Sequence, residues 1–234
     1  MNNNLNDKFF QMKKNTVDSK NQLKESDLVR YRHLQNNGVK ICFIGNSITL
    51  HSLCPSIGWN LECGMAASSV NNDYVSLTEQ AVLKKNKDAS FCICQVSGWE
   101  SDYKNGSSKF HLYESARDFE ADILVIRFIE NCSGINFDSK IFRNELEKLI
   151  KFLNKNGKAK IIVTTSFWHH PGDDELRSYA KDNSFPLIEL GDLGEDDKMK
   201  AIGLFEHNGV ANHPGDLGMK AISDRILEKI LPLV

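Results

Sequence analysis

Five short apolar runs, most of them separated by a helix-length segment, constrain the fold of this chain more than any other feature of its 234 residues. They are 39–44 (VKICFI), 90–95 (SFCICQ), 122–129 (DILVIRFI), 160–166 (KIIVTTS) and 186–190 (PLIEL). Runs this continuously apolar suit strands covered on both faces, not strands with one wet face. Between them, 74–85, 139–154, 173–182 and 215–231 carry helix-like patterns. In 139–154 the apolar set is Ile141, Phe142, Leu146, Leu149, Ile150 and Leu153; Asp138 and Ser139 offer cap chemistry, and Gly157 stands where a stop is expected. Strand and helix in alternation predict an α/β fold in which a parallel, five-stranded sheet is sandwiched between helices.

One domain over 38–234 accounts for that pattern. Residues 1–37 are rich in Asn, Lys, Gln and Ser, with weak apolar periodicity around Phe9-Phe10 and Leu28-Val29-Tyr31, and read as a polar, helical or partly ordered extension. A formal net charge of -2 and a pI near 6.4 create no basic field to draw in nucleic acid or anionic lipid. No run of about 18 apolar residues is present to span a bilayer, and the first residues lack the apolar middle of a secretion signal, so a cytoplasmic protein is expected. Of six cysteines, Cys42, Cys92 and Cys94 lie inside apolar runs, where a thiol behaves as a small hydrophobe. Cys92 and Cys94 share a strand face, but no second cysteine pair or histidine stands at zinc spacing, so no metal and no other cofactor is expected.

In parallel sheets, ligands collect at the carboxyl ends of the strands. Ser47 follows the first run in Gly45-Asn46-Ser47-Ile48-Thr49, Ser97-Gly98 the second, Glu130-Asn131 the third and Trp168-His169-His170 the fourth. His213 stands on a His-Pro-Gly turn before the last helix. Ser47 has two readings, since Asn and Ser are also favoured helix caps. A histidine on a rigid turn at the same sheet edge could take the serine's proton, making Ser47 and His213 the nucleophile and base of acyl transfer. The Asn131 side chain and the amides of Ser47 and Gly98 could then receive the oxyanion.

Gly45-Asn46-Ser47-Ile48-Thr49 resembles the first block of the SGNH (GDSL-like) hydrolase superfamily, with Asn46 where aspartate is commoner, and His213-Pro214 followed by Gly218 resembles its last. The resemblance runs from about residue 39 to the C-terminus. It implies a flavodoxin-like three-layer α/β/α sandwich and metal-free serine ester hydrolysis, with Ser47 as nucleophile, His213 as base and Asn131 as oxyanion-hole asparagine. Gly98 takes the place of the second block's glycine, with Gly64 as fallback. The substrate class it suggests is a small ester such as an O-acetylated sugar; acyl transfer to a sugar hydroxyl, or a non-catalytic sugar-binding or scaffold role, are the alternatives.

Two positions depart from the pattern. Ile129 stands where the third block has glycine, and Val210 where the last block has the aspartate that orients the histidine. A backbone carbonyl that orients His213 is the favoured replacement, Glu206 the second choice, and a dead site the third outcome. Elsewhere, Arg127 and Glu130 read as a buried pair or a substrate clamp, and Trp59, Trp99 and Trp168 as core or pocket wall. His51 could approach the site. On an extended segment His169 and His170 point to opposite sides and cannot easily share one ion, so a loop at the cleft mouth is expected there. The acidic run 195–197 reads as a solvated loop.

Overall fold

A computed structural model describes residues 28–35 and 37–234 of the chain. The sheet order is β1-β3-β2-β4-β5-β6, with β1 Val29–Arg32, β2 Lys40–Gly45, β3 Ser90–Gln95, β4 Ile123–Arg127, β5 Lys160–Thr164 and β6 Leu187–Ile188. All neighbours are parallel except β1, which runs antiparallel to β3 along one edge. The principal helices are α1 Tyr74–Lys85, α2 Ser97–Ser101, α3 Glu114–Asp118, α4 Ser139–Leu153, α5 Asp173–Asp182, α6 Gly191–Glu195, α7 Asn208–Ala211 and α8 Asp216–Ile230.

The sheet holds six strands where the sequence predicts five, and the sixth comes from the span read as an extension. The expected boundary at residue 38 therefore cuts through the sheet. Its two arginines hide this strand from a hydrophobicity reading: Arg30 and Arg32 are both 2% exposed, paired with Glu62 at 3.4 Å and Glu79 at 3.1 Å. The rest of the expected extension, including Phe9-Phe10, lies outside the described residues.

Alternate residues of each strand feed two cores. Ile41, Phe43, Phe91, Ile93 and Val125 face α1 and α8, meeting Tyr74, Val75, Met219, Ile222 and Ile226. Cys42, Ile44, Cys92, Cys94, Leu124 and Ile126 face α4 and α5, meeting Phe142, Leu146, Leu149 and Leu176. That alternation is the period of two expected of a strand, and it makes the three layers. Ile141, expected with the α4 core set, is exposed. All six cysteines are unpaired, and no helix among the described residues is long and apolar enough to cross a membrane.

Candidate active site

Strand register decides what meets at the carboxyl edge. Gly45 is level with Gln95 of β3 and with Arg127 of β4, so the residues just past all three strands converge. The chain turns sharply at Gly45, where an added Cβ would lie 1.8 Å from Thr49 Oγ1 and 2.8 Å from the Arg127 carbonyl oxygen. Asn46 O then accepts from Thr49 N and Leu50 N, both at 2.9 Å, leaving Ser47 at the apex, half-buried.

Ser47 Oγ lies 2.8 Å from His213 Nε2. The other ring nitrogen, Nδ1, lies 2.6 Å from the carbonyl oxygen of Gly209 in α7. A carbonyl can only accept, so Nδ1 carries the proton and Nε2 presents its lone pair to the serine. Trp168 packs edge-on against the imidazole at 5.0 Å between centroids and donates from its indole to Asn212 O at 3.2 Å. Burial pushes the His213 pKa down to about 4, opposed by the Gly209 bond, so the ring is neutral near pH 7.

A cavity of about 300 Å³ opens over this pair, with Met65, Gln95, Asn131 and His51 among its walls. Ile57 and His207, also in its lining, continue into a second cavity of about 420 Å³ walled by Pro55, Ser56, Phe205 and Glu206. Among the described residues no group of three or more His, Cys, Asp or Glu is placed to hold a metal ion.

Beneath the site lies a buried polar network that sequence reading found only in part. Asn46 Nδ2 donates to Glu100 Oε1 at 3.0 Å and to Glu130 Oε2 at 2.6 Å, while Arg127 pairs with Glu130 and donates to Asn46 Oδ1 at 3.3 Å. Glu130 also accepts from Phe167 N at 2.8 Å. The Arg127–Glu130 pair is thus part of the frame under the turn, which matches its structural reading. No motif or pattern in the sequence marks Glu100, because its complete burial is a tertiary fact.

The five sequence-derived site residues do not all converge. Ser47, His213 and Asn131 do. Gly98 does not: it sits exposed in the first turn of α2 with nothing within 4 Å of an added Cβ, and its neighbours Gln95 and Ser97 line the cavity instead. Helix α2 begins one residue after β3, and Gly98 is its second residue. The fallback, Gly64, does pack on the Ser47 turn, where an added Cβ would lie 2.4 Å from Ile48 O, but its N–H is taken by Asp73 Oδ2 at 3.0 Å. The adjoining Met65 N–H binds Ser47 O at 2.8 Å, and Ala66 turns with φ 73, a left-handed conformation that its side chain gives no hint of in sequence.

Glu206 is likewise displaced. It is exposed in the adjoining cavity, and the Nδ1 proton it would have held is bound by Gly209 O. Val210 is fully buried. Ile129, in the glycine position, keeps a glycine-like φ of 140 and is held by Glu100 Oε1, which accepts its N–H at 2.7 Å. Trp59 and Trp99 are core, whereas Trp168 touches the base. His170 is buried between Cys132 O at 2.9 Å and Gly172 N at 3.0 Å, a structural role in place of the expected cleft mouth.

No family model matches the chain, and no curated protein matches it in sequence. Solved structures do. A two-domain esterase active on acetylated mannans superposes with TM-score 0.54 at 15% identity, over 83% of this chain and 50% of that one. A member of the lipolytic protein G-D-S-L family from Veillonella parvula gives TM-score 0.52 at 15% identity, over 81% of this chain and 97% of its own. The psychrotrophic esterase EstA from Pseudoalteromonas sp. gives 0.52 at 13%, over 83% and 97%. The fold is that of the SGNH hydrolases. This chain spans half the length of the mannan-active esterase, and nearly the whole of the other two SGNH-fold proteins.

Proposed function

We propose that the chain is a serine ester hydrolase that removes a short acyl group from a small alcohol, with an acetylated sugar as the substrate class. The observation that carries this is the Ser47–His213–Gly209 relay, with Ser47 Oγ 2.8 Å from Nε2 and Nδ1 2.6 Å from a carbonyl. In this reading Ser47 Oγ attacks the ester carbon while its proton passes to Nε2. The oxyanion forms against Ser47 N–H and Asn131 Nδ2. Collapse breaks the C–O bond, the alcohol leaves with the proton from Nε2, and water repeats the sequence on the acyl-serine to release the acid.

A cavity of about 300 Å³ beside the serine suits a short acyl chain. The adjoining 420 Å³ space, with Phe205 and Ile57 as apolar wall and Ser56, Glu206 and His207 as polar groups, suits a ring bearing hydroxyls. That one neighbour of this fold acts on acetylated mannans agrees with this choice. Purified protein is expected to hydrolyse aryl acetates and to label on Ser47 with an organophosphonate. Ser47→Ala should abolish both, and an active Ser47→Ala protein would refute the reading. Supplying an acetylated sugar donor with a free sugar acceptor tests the reaction type: an acylated acceptor as main product would make the protein a transferase.

A further inference from the structure

The carboxylate of Glu100 belongs to neither the nucleophile turn nor the oxyanion turn, yet it binds both. It comes from α2, beyond β3, and is fully buried. Its Oε1 accepts from Asn46 Nδ2 at 3.0 Å, Ile129 N at 2.7 Å and Asn131 N at 3.3 Å; its Oε2 accepts from Asn131 Nδ2 at 2.9 Å. A buried carboxylate is costly unless its lone pairs are filled, and here all the donors come from the segments on either side of the cavity. The turn it holds is strained, with φ 140 at the β-branched Ile129. With one amide hydrogen of Asn131 fixed on Oε2, the second is left for the cavity that Asn131 shares with Ser47.

We propose that Glu100 is the positioning residue of this site, orienting the Asn131 amide for the oxyanion and locking the asparagine's turn to the turn that carries Ser47. The inference rests on the esterase reading above. A neutral isostere fills the same space but offers one acceptor oxygen, so it cannot hold Ile129 N and Asn131 Nδ2 in their present places together. Burial and the charge of Glu130 push the Glu100 pKa up to about 7, opposed by Asn131, Asn46 and Ile129 N–H. Arg127 is linked to it through Asn46, which accepts from Arg127 and donates to Glu100, and Tyr113 and Cys132 beside it stay neutral, both pushed up by burial.

The test is Glu100→Gln assayed on an aryl acetate, alone and combined with Asn131→Ala. Glu100→Gln is expected to lower kcat roughly 10- to 100-fold with KM within about threefold, since an oxyanion donor acts in the transition state. In the Asn131→Ala background the same change should cost less than about twofold, because the group it positions is gone. A folded Glu100→Gln protein with kcat within about twofold of wild type would overturn the proposal. So would an equal loss in both backgrounds, which marks a structural role. Should Glu100→Gln fail to fold, wild type and Asn131→Ala suffice: wild-type kcat is expected to fall below about pH 7 as the carboxylate protonates, a limb absent from Asn131→Ala. A limb shared by both proteins, or present in neither, overturns the proposal. An inactive wild type, or an active Ser47→Ala, would fail the esterase reading itself. The positioning role fails alone where Asn131→Ala lowers kcat and Glu100→Gln does not.

Discussion

Replacing Asn46 by the aspartate commoner in the sequence block it resembles, Asn46→Asp, should damage this protein. Asn46 Nδ2 sits 3.0 Å from Glu100 and 2.6 Å from Glu130, with Arg127 as the cation that joins this network. An aspartate oxygen in that place would add a third carboxylate and remove both donated bonds. A proton on Glu100, whose pKa is already pushed up to about 7, relieves one of the two contacts. The contact with Glu130 needs a second proton. Taking it up at pH 7 on a carboxyl whose ordinary pKa is about 3.9 costs about 4 kcal/mol. That is a large part of the 5–15 kcal/mol that typically holds a domain together, and corresponds to a Tm roughly 8–16 °C lower for a chain of this size. The sign with pH follows from the raised folded pKa: the defect is largest near neutral pH and shrinks by about 1.4 kcal/mol per unit as pH falls toward 4. Thermal and urea unfolding of both proteins at pH 7 and pH 5 measures it. A variant melting within about 2 °C of wild type at pH 7 would refute the account of the network.

Glu206→Gln should leave kcat/KM on an aryl acetate within about fivefold, the scale of an exposed charge, whereas loss of a true orienting carboxylate costs about 10⁴; a collapse in the folded variant would return that role to Glu206. NMR titration of the His213 ring should give a midpoint near pH 4. The folded pKa is depressed below the ordinary value of about 6.5, so the stability gained from burying a neutral ring is complete above that value and lost as pH falls toward 4; a midpoint of 6 or higher contradicts the packing described. Gly64→Ala should lower both Tm and kcat, because its Cβ would lie 2.4 Å from Ile48 O beside the nucleophile. Gly98→Ala, with open space around it in a helix, should raise stability by about 0.5–1 kcal/mol and leave activity unchanged; the reverse pattern would restore Gly98 to the site.

Periodicity and local chemistry determined much of this protein. Segments 74–85, 90–95 and 173–182 coincide with α1, β3 and α5, because a period of two or of 3.6, an apolar run and a cap are all local properties. The turn at Gly45 and the His213-Pro214-Gly215 turn were legible for the same reason: each needs special residues within a few positions. What stayed hidden depended on partners distant in sequence. Arg30 and Arg32 make an edge strand only because Glu62 and Glu79 come to them. Asn46 differs from aspartate because two glutamates, 54 and 84 residues along the chain, converge on it. Where the resembling block has an aspartate this chain has Val210, and a carbonyl orients His213 instead; every residue carries a carbonyl, so only the placement of Gly209 beside His213 could show which one serves. A side chain's type is written in the sequence; what desolvates it and what it can reach are set by tertiary packing, and the preparation of this site depends on both.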